Sequence, residues 1–358
     1  MVLASLAMLA ACGSKPEQKE IENEDIPQSE GTYNLEGKRL TRFLDSFEYD
    51  TDYSYTRVHE FIVQGEEADA YQPAYITIPD DCEATKAVLV SNRGEETSRQ
   101  VYGKGKTAIY NLIPGRTYTY TLFSADGKAL KTAFFETTGR VRALKTSKYL
   151  HNFRDIGGWE GLNGKHIKYG YLIRGSEVKT GTDDLSRYEL ADYEFLINQI
   201  GINYDMDFRT DEGAGYFYES PLGIEFIRIP LSAYASVITK KERQEAYKQS
   251  ILQFIENTKA GKCTYMHCQG GADRTGTLVF FIEGLLGVSE SNLAKDYEIT
   301  TFYYHKERND EERYKTMISE LMSRYSKGGS LSDAIYNCAK GMGITDSDIE
   351  ELRKLMLE

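Results

Sequence analysis

The segment Tyr265 to Phe281, "YMHCQGGADRTGTLVFF", constrains the fold more than any other part of the chain. An apolar run, "CTYMHC", ends in Cys268, two glycines and a charged pair follow, and "RTGTLVFF" then opens with helical character. A strand that passes through a tight glycine bend into a helix is the repeating unit of a parallel sheet covered by helices. A plain core would not place Asp273 and Arg274 at the bend, and a plain turn would have no use for Cys268.

The surrounding sequence carries the same alternation. "SRYELADYEFLINQIG" and "KKERQEAYKQSILQFIENTKAG" have helical spacing that stops at Gly201 and Gly261, and "INYDMDF" and "IEFIRIPL" read as strands. Further helices are predicted from Ser289, from Asp310 and near Ser330. The last is capped by Thr345 with Asp348, and Ile349, Leu352 and Leu355 lie on one face. From about 35 to 138 the period is instead two. "RTYTYTLF" puts Tyr118, Tyr120 and Leu122 on one face, and Asp126-Gly127 supplies a hairpin turn into "LKTAFFET". "TRVHEFIV", "QPAYITIP" and "KAVLVS" are predicted as earlier strands. The expected fold is an all-β sandwich over 35–140, free of helix, followed over 141–358 by an α/β domain with a mostly parallel sheet flanked by helices.

The first residues differ again. Residues 1–11 are apolar up to Cys12, and "GSKPEQKEIENEDIPQSE" then turns polar. A span needs about 20 apolar residues, so this run is too short to cross a bilayer but fits the core of a secretory signal. Leu9-Ala10-Ala11-Cys12 resembles the lipobox of bacterial lipoproteins, in which the cysteine is lipidated and becomes the mature first residue. The expectation is a signal peptide over 1–11, a lipid on Cys12, a flexible tether over 12–34, and an exported protein anchored to a membrane, facing the periplasm or the cell surface. A net charge of -12 argues against nucleic acid as a partner. The five cysteines and five histidines show no metal-binding spacing, so no metal and no cofactor is expected.

The loop after Cys268 has a chemistry of its own. Gln269, Gly270, Gly271 and Ala272 allow the backbone to bend until several N–H groups face one hollow. The hollow lies at a helix N-terminus, whose partial positive charge favours an anion. Arg274 closes the ring with a planar fork that grips two oxygens of a tetrahedral oxyanion, which a lysine cannot do. The same field acts on the sulfur. A free thiol of pKa ~8.5 is only about 3% thiolate at pH 7, and each unit of lowering corresponds to about 1.4 kcal/mol.

One loop can therefore bind a phosphate and ionise its attacker. In-line attack on phosphorus gives a phosphocysteine that water then hydrolyses, with the guanidinium and amides meeting the charge. Thr275 is placed to donate its hydroxyl to the departing thiolate. His267 is expected to orient the loop by hydrogen bonding. Cys263 and Cys338 read as inert core residues.

His267-Cys268 through Asp273-Arg274-Thr275-Gly276 reads H-C-x2-G-x-D-R-T-G. It resembles the signature of the cysteine-dependent protein tyrosine phosphatases, in particular their bacterial tyrosine/serine branch. "NFRDIGG" from Asn152, "YLIRGSEV" around Arg174, "DMDFRTDEG" around Asp207 and the C-terminal "GITDSDIEELRKLML" fit the same family, so the resemblance spans about 150 to 357. Many members draw their general acid from a Trp-Pro-Asp loop, which this sequence lacks. In this branch, as in the myotubularin lipid phosphatases, an aspartate stands just before the arginine, which is Asp273 here. Asp273 either protonates the leaving oxygen or only braces the loop. Asp207 and Asp155 are the other candidates, expected instead to hold loops through Arg209 and Arg154. The family's lysine before that aspartate is Ala272, a loss of positive charge that counts against phosphoinositides. The stretch 232–260 takes the place of a lid, or is a solvated amphipathic helix. "YNLIPGRTYTY" resembles the end of a fibronectin type III domain, although the one tryptophan, Trp159, lies outside that region.

The expected function is hydrolysis of phosphomonoesters, with phosphotyrosine first and phosphoserine or soluble phosphates as further substrates. The partners are then a phosphorylated protein or a small phosphomonoester, and a lipid membrane through the anchor; the partner of the β module is left open. The alternatives are an inositol phosphate or phosphoinositide phosphatase, and a non-catalytic surface lipoprotein that binds phosphorylated ligands.

Overall fold

The computed structural model describes residues 27–46, 57–62, 69–178, 190–216, 218–304 and 311–358. The expected signal peptide, Cys12 and the expected tether up to residue 26 lie outside the described residues.

The first region contributes β1 (Gln28–Asn34), β2 (Ala74–Ile78), β3 (Lys86–Ser91), β4 (Glu96–Gln100), β5 (Gly105–Ile109), β6 (Thr117–Phe123) and β7 (Ala129–Thr138). Five of them form a sheet in the order β1-β7-β6-β3-β4, and β2 pairs with β5. The period-two reading places the core. Tyr118, Tyr120 and Leu122 of β6 are all buried, and they share one apolar cluster with Ile76 and Ile78 of β2, Ile109 of β5 and Phe135 of β7. Gly127 turns the β6–β7 hairpin at φ +85°, a backbone conformation open to glycine.

Three expectations for this region are corrected. Residues 28–34, assigned to the tether, form β1, which runs parallel to β7. The segment has few large apolar side chains, but a main-chain ladder does not need them. Its acid Glu30 accepts from the Tyr120 hydroxyl at 2.6 Å and from Lys131 at 2.8 Å. The region is also not free of helix, because α1 (Lys38–Ser46) follows β1. Leu40, Phe43 and Leu44 recur at helical spacing and are buried in the core of the following domain, not in that of the β module. Phe43 lies 5.7 Å from the ring of Phe302, and Lys295 donates to the Leu44 carbonyl at 2.9 Å. Finally, Arg57–Phe61 is a 3-10 turn and not a strand; Val58 and Phe61, three apart, turn together to that same core.

The second region follows its expected alternation. Its sheet holds β8 (Arg154–Asp155), β9 (Leu172–Gly175), β10 (Ile202–Asp207), β11 (Glu225–Arg228) and β12 (Cys263–His267), in the order β11-β10-β12-β9-β8. All neighbours are parallel except β8 and β9. The helices are α2 (Leu190–Tyr193), which continues as a π-helical stretch Glu194–Gln199, α3 (Ala235–Thr239), α4 (Gln244–Lys259), α5 (Arg274–Leu285), α6 (Glu290–Ile299), α7 (Thr301–Tyr304), α8 (Glu311–Tyr325), α9 (Leu331–Gly341) and α10 (Asp346–Met356). Ser330 and Thr345 each complete a capping box.

Helix α5 is buried on nearly every side, which explains why its sequence is so uniformly apolar. β12 lies at the centre of the sheet, so Cys268 sits at the carboxyl end of the middle strand, where open α/β sheets collect their ligands. Among the described residues no helix is long and apolar enough to cross a membrane.

Because α1 completes the second core, Phe43→Ala is expected to destabilise the α/β domain by about 3–5 kcal/mol, as for other buried aromatic truncations. Urea unfolding followed by the fluorescence of Trp159, which lies in the same cluster, measures this. An unchanged midpoint would mean that α1 is not part of that core.

Candidate active site

The loop from Cys268 to Arg274 is held open from beneath. Its carbonyls are pulled outward, since the Glu177 amide donates to Gln269 O at 3.0 Å, the Asn152 side-chain amide to Gly270 O at 3.2 Å, and Arg174 to Gly271 O at 2.9 Å. With the carbonyls turned away, the amides face the other side. Those of Gln269, Gly271 and Arg274 donate to no protein acceptor among the described residues. Gly271 cannot be replaced without rearrangement. It has φ +64°, and a Cβ there would stand 2.1 Å from the Gly175 carbonyl oxygen.

The pulling groups share one anchor. Asp296 on α6 takes Arg154 at 3.0 Å and Arg174 at 2.7 Å, and Arg154 in turn donates to the Asn152 side chain. Asn152, Arg154, Arg174 and Asp296 are all buried. Asn152 adopts φ +61°, a conformation that asparagine tolerates better than most residues. Beside them Glu283 is buried too. Loss of solvent and the nearby Asp296 charge raise its carboxyl well above the ordinary range, against the pull of Arg174 and Arg154.

Cys268 is 3% exposed. Burial pushes its thiol up, yet the net direction is down, because the Thr275 hydroxyl and amide and the Arg274 charge outweigh burial and the opposing charge of Asp273. The Thr275 hydroxyl is itself buried and makes no ordinary hydrogen bond, so it acts on the sulfur as a nearby dipole. Cys263 and Cys338 behave in the opposite way. Burial pushes both thiols up, Cys338 to about 12, in keeping with their reading as core residues.

His267 lies behind the loop. Its Nδ1 is 3.1 Å from the Cys268 carbonyl oxygen and its Nε2 is 3.1 Å from Asp205. Burial lowers the imidazole, and the Asp205 and Asp207 carboxylates more than reverse this, raising it above its ordinary value. The expected orienting role fits this placement.

The acid candidates separate by environment. Asp207 is buried and held by Arg209 through two bonds of 2.9 Å and by Arg228 at 3.1 Å. Burial raises its carboxyl, but the Arg209 bonds and the His267 and Arg209 charges pull it below the ordinary value, so it is poorly suited to give up a proton near neutrality. Asp155 is buried, accepts from the amides of Gly157 at 2.9 Å and Gly170 at 2.8 Å, and pairs with Arg142 at 3.3 Å. The expected partner Arg154 goes to Asp296 instead, since β8 turns the side chains of adjacent residues to opposite faces. Asp273 is half-buried at the N-cap of α5 and accepts from the Tyr234 hydroxyl.

Tyr234 gave no signal in the sequence. It has φ +58°, and its amide donates to the Thr277 hydroxyl at 3.0 Å. Asp273 and Arg274 open into a cleft of about 610 Å³, walled on one side by Leu231–Ser236 and on the other by Glu312, Arg313 and Thr316 of α8. Of the stretch compared to a lid, only the first part lines this cleft. α4 buries Tyr247, Ile251, Phe254 and Ile255 in the core and is a structural helix.

Residues 146–358 match the model of the tyrosine phosphatase family, and the chain belongs to that family. A protein of Cupriavidus necator assigned by name to the tyrosine-protein phosphatases is 24% identical over 172 residues, which cover 41% of this chain and 59% of that relative. Two solved structures share 14% identity with the chain. PTPMT1 in complex with PI(5)P covers 53% of this chain and 93% of its own at a TM-score of 0.25. The core catalytic domain of the PP-IP phosphatase SIW14 of S. cerevisiae, in complex with citrate, covers 44% and 91% at 0.28. Neither likeness is close enough to assign a substrate.

The lowered thiol has a measurable sign. The thiolate persists as pH falls past the ordinary thiol range, so the midpoint of Cys268 alkylation by iodoacetamide against pH is expected below that of a free thiol. Thr275→Ala removes a lowering dipole and should move the midpoint up. A free-thiol midpoint in the wild type, or no movement in the variant, would contradict this electrostatic account.

Proposed function

We propose that the protein hydrolyses phosphomonoesters through a phosphocysteine at Cys268. The observation that carries this reading is a buried thiol before the N-terminus of α5, at the mouth of a loop whose Gln269, Gly270 and Gly271 carbonyls are each drawn onto donors outside the loop. Arg274 clamps the phosphate, the loop amides and the α5 N-terminus meet its charge, and the sulfur attacks in line with the leaving oxygen. The P–O ester bond breaks as the S–P bond forms. Asp273 gives its proton to the departing oxygen, and water then cleaves the S–P bond and returns the thiolate.

Phosphotyrosine is the favoured substrate class. The cleft beside Asp273 and Arg274 is roomy, and Leu231, Ala233, Tyr234 and Ala235 give it a partly apolar wall suited to a phenyl ring. Inositol phosphates are the second reading, disfavoured by alanine at 272 where a lysine would add charge. Residues 1–12 support export with a lipid on Cys12, and the β module, sandwich-like and similar at "YNLIPGRTYTY" to fibronectin type III, then serves as a spacer.

The decisive assay compares wild type and Cys268→Ser on p-nitrophenyl phosphate. Hydrolysis by the former and a loss of at least about a thousandfold in the latter are expected. Equal rates, or none in either, would remove the enzyme reading. Rates on phosphotyrosyl peptides above those on inositol phosphates support the tyrosine reading, and the reverse order supports the second.

Tyr234 donates its hydroxyl to one oxygen of Asp273, which makes it a positioning residue. Tyr234→Phe should slow phenyl phosphate, whose poor leaving group needs the proton, by about tenfold, the equivalent of one hydrogen bond. It should slow p-nitrophenyl phosphate much less. Equal losses on both esters would mean that the tyrosine only supports the fold.

A further inference from the structure

A second basic cavity lies between the β module and the α/β domain. It encloses about 160 Å³, the room of roughly five waters. Arg99, Asn111 and Tyr118 line it from the β module, and Arg142, Tyr169 and Phe195 from the other side. Of its two guanidiniums, Arg142 has one carboxylate partner, Asp155, and Arg99 has none among the described residues. Arg142 is 7% exposed, gives Nη1 to Asp155 at 3.3 Å and Nη2 to the Asn111 carbonyl at 3.0 Å, and keeps a buried Nε without a partner. Arg99 donates to Thr97, to Ser98 O at 2.9 Å and to Tyr110 O at 3.5 Å, and pairs with no carboxylate among the described residues. Both arginines line the same space, and burial first, then the charge of Arg142, lowers the Arg99 guanidinium to about 10.

The acids at the rim do not relieve them. Both oxygens of Glu95 are engaged, one with Arg116 at 3.2 Å and the other with the Ser91 hydroxyl. Glu96 also lines the rim, where it is exposed to solvent. A buried donor left unpaired costs about 1–3 kcal/mol, and two cations lining one space add repulsion to that. An oxyanion between them would answer both. The guanidinium fork is shaped for such oxygens, and the space admits a tetrahedral anion but no bulky ester.

We propose that this cavity binds a small tetrahedral oxyanion, inorganic phosphate or sulfate, between Arg99 and Arg142, and so fastens the two modules at a site separate from the catalytic loop. The test uses the full chain carrying Arg274→Met, which removes the guanidinium clamp of the catalytic loop. Phosphate and sulfate should each raise its Tm by on the order of 5 °C at a hundredfold excess over Kd, measured against chloride at equal ionic strength. The added change Arg99→Gln should abolish the rise. No rise, or one that survives Arg99→Gln, overturns the proposal.

Arg99→Gln alone should hydrolyse p-nitrophenyl phosphate within about twofold of wild type, and a variant as inactive as Cys268→Ser would overturn the separateness of the site. Selenate soaked into wild-type crystals gives a reading that does not depend on any variant folding. Anomalous density between the two arginines supports the site, and density at the Cys268 loop alone sinks it.

Discussion

The loop from Cys268 to Arg274 depends on one carboxylate that lies outside it, on α6. Asp296 holds Arg154 and Arg174 together in a buried site, and these two arginines set Asn152 and the Gly270 and Gly271 carbonyls. A buried ion pair contributes little net stability, because desolvation offsets most of the attraction, but breaking one costs several kcal/mol. Its contribution here is geometric. Each carbonyl drawn outward frees an amide to face inward, and a set of inward amides turns a bend into an anion site. The positive potential at Cys268 is therefore built locally, on a chain whose overall charge is -12.

The strand–loop–helix unit was legible because one stretch carries three independent signals: an apolar run, paired glycines, and an arginine at the start of a helix. The parallel sheet followed from alternating periods, and the β6–β7 hairpin from Tyr118, Tyr120, Leu122 and Gly127. The supporting shell was hidden for a physical reason. Asp296 reads as an ordinary acid on an amphipathic helix, and only the packing of α6 shows that it is buried between two arginines. Tyr234 was hidden because its role rests on a left-handed backbone conformation that no pattern of side chains announces. Asp155 was paired with the wrong arginine because sequence adjacency says nothing about which face of β8 each residue takes. In α1, Leu40, Phe43 and Leu44 do carry helical spacing, but it was hidden within a region read throughout with period two.

Two cysteines five residues apart show how environment, and not residue type, decides reactivity. Cys263 at the start of β12 and Cys268 just past its end are both buried, and burial pushes both thiols up. Arg142 opposes burial only weakly at Cys263, whereas Cys268 meets a helix N-terminus, the Arg274 charge and the Thr275 hydroxyl and amide. Five residues of extended chain, roughly 16 Å, separate a reactive site from an inert one.

The path of the chain between the modules bears on how they can move. β1 belongs to the β module, α1 crosses to the α/β core, and β2 to β7 return to the β module before the chain crosses again near Val141. Among the described residues the two modules are therefore joined through more than one crossing, at α1 and near Val141. Cutting the chain at the apparent boundary would strip Leu40, Phe43 and Leu44 from the half that carries Cys268. A pull on the N-terminal end would then reach the catalytic half through packed helix and sheet, as through a stiff bracket.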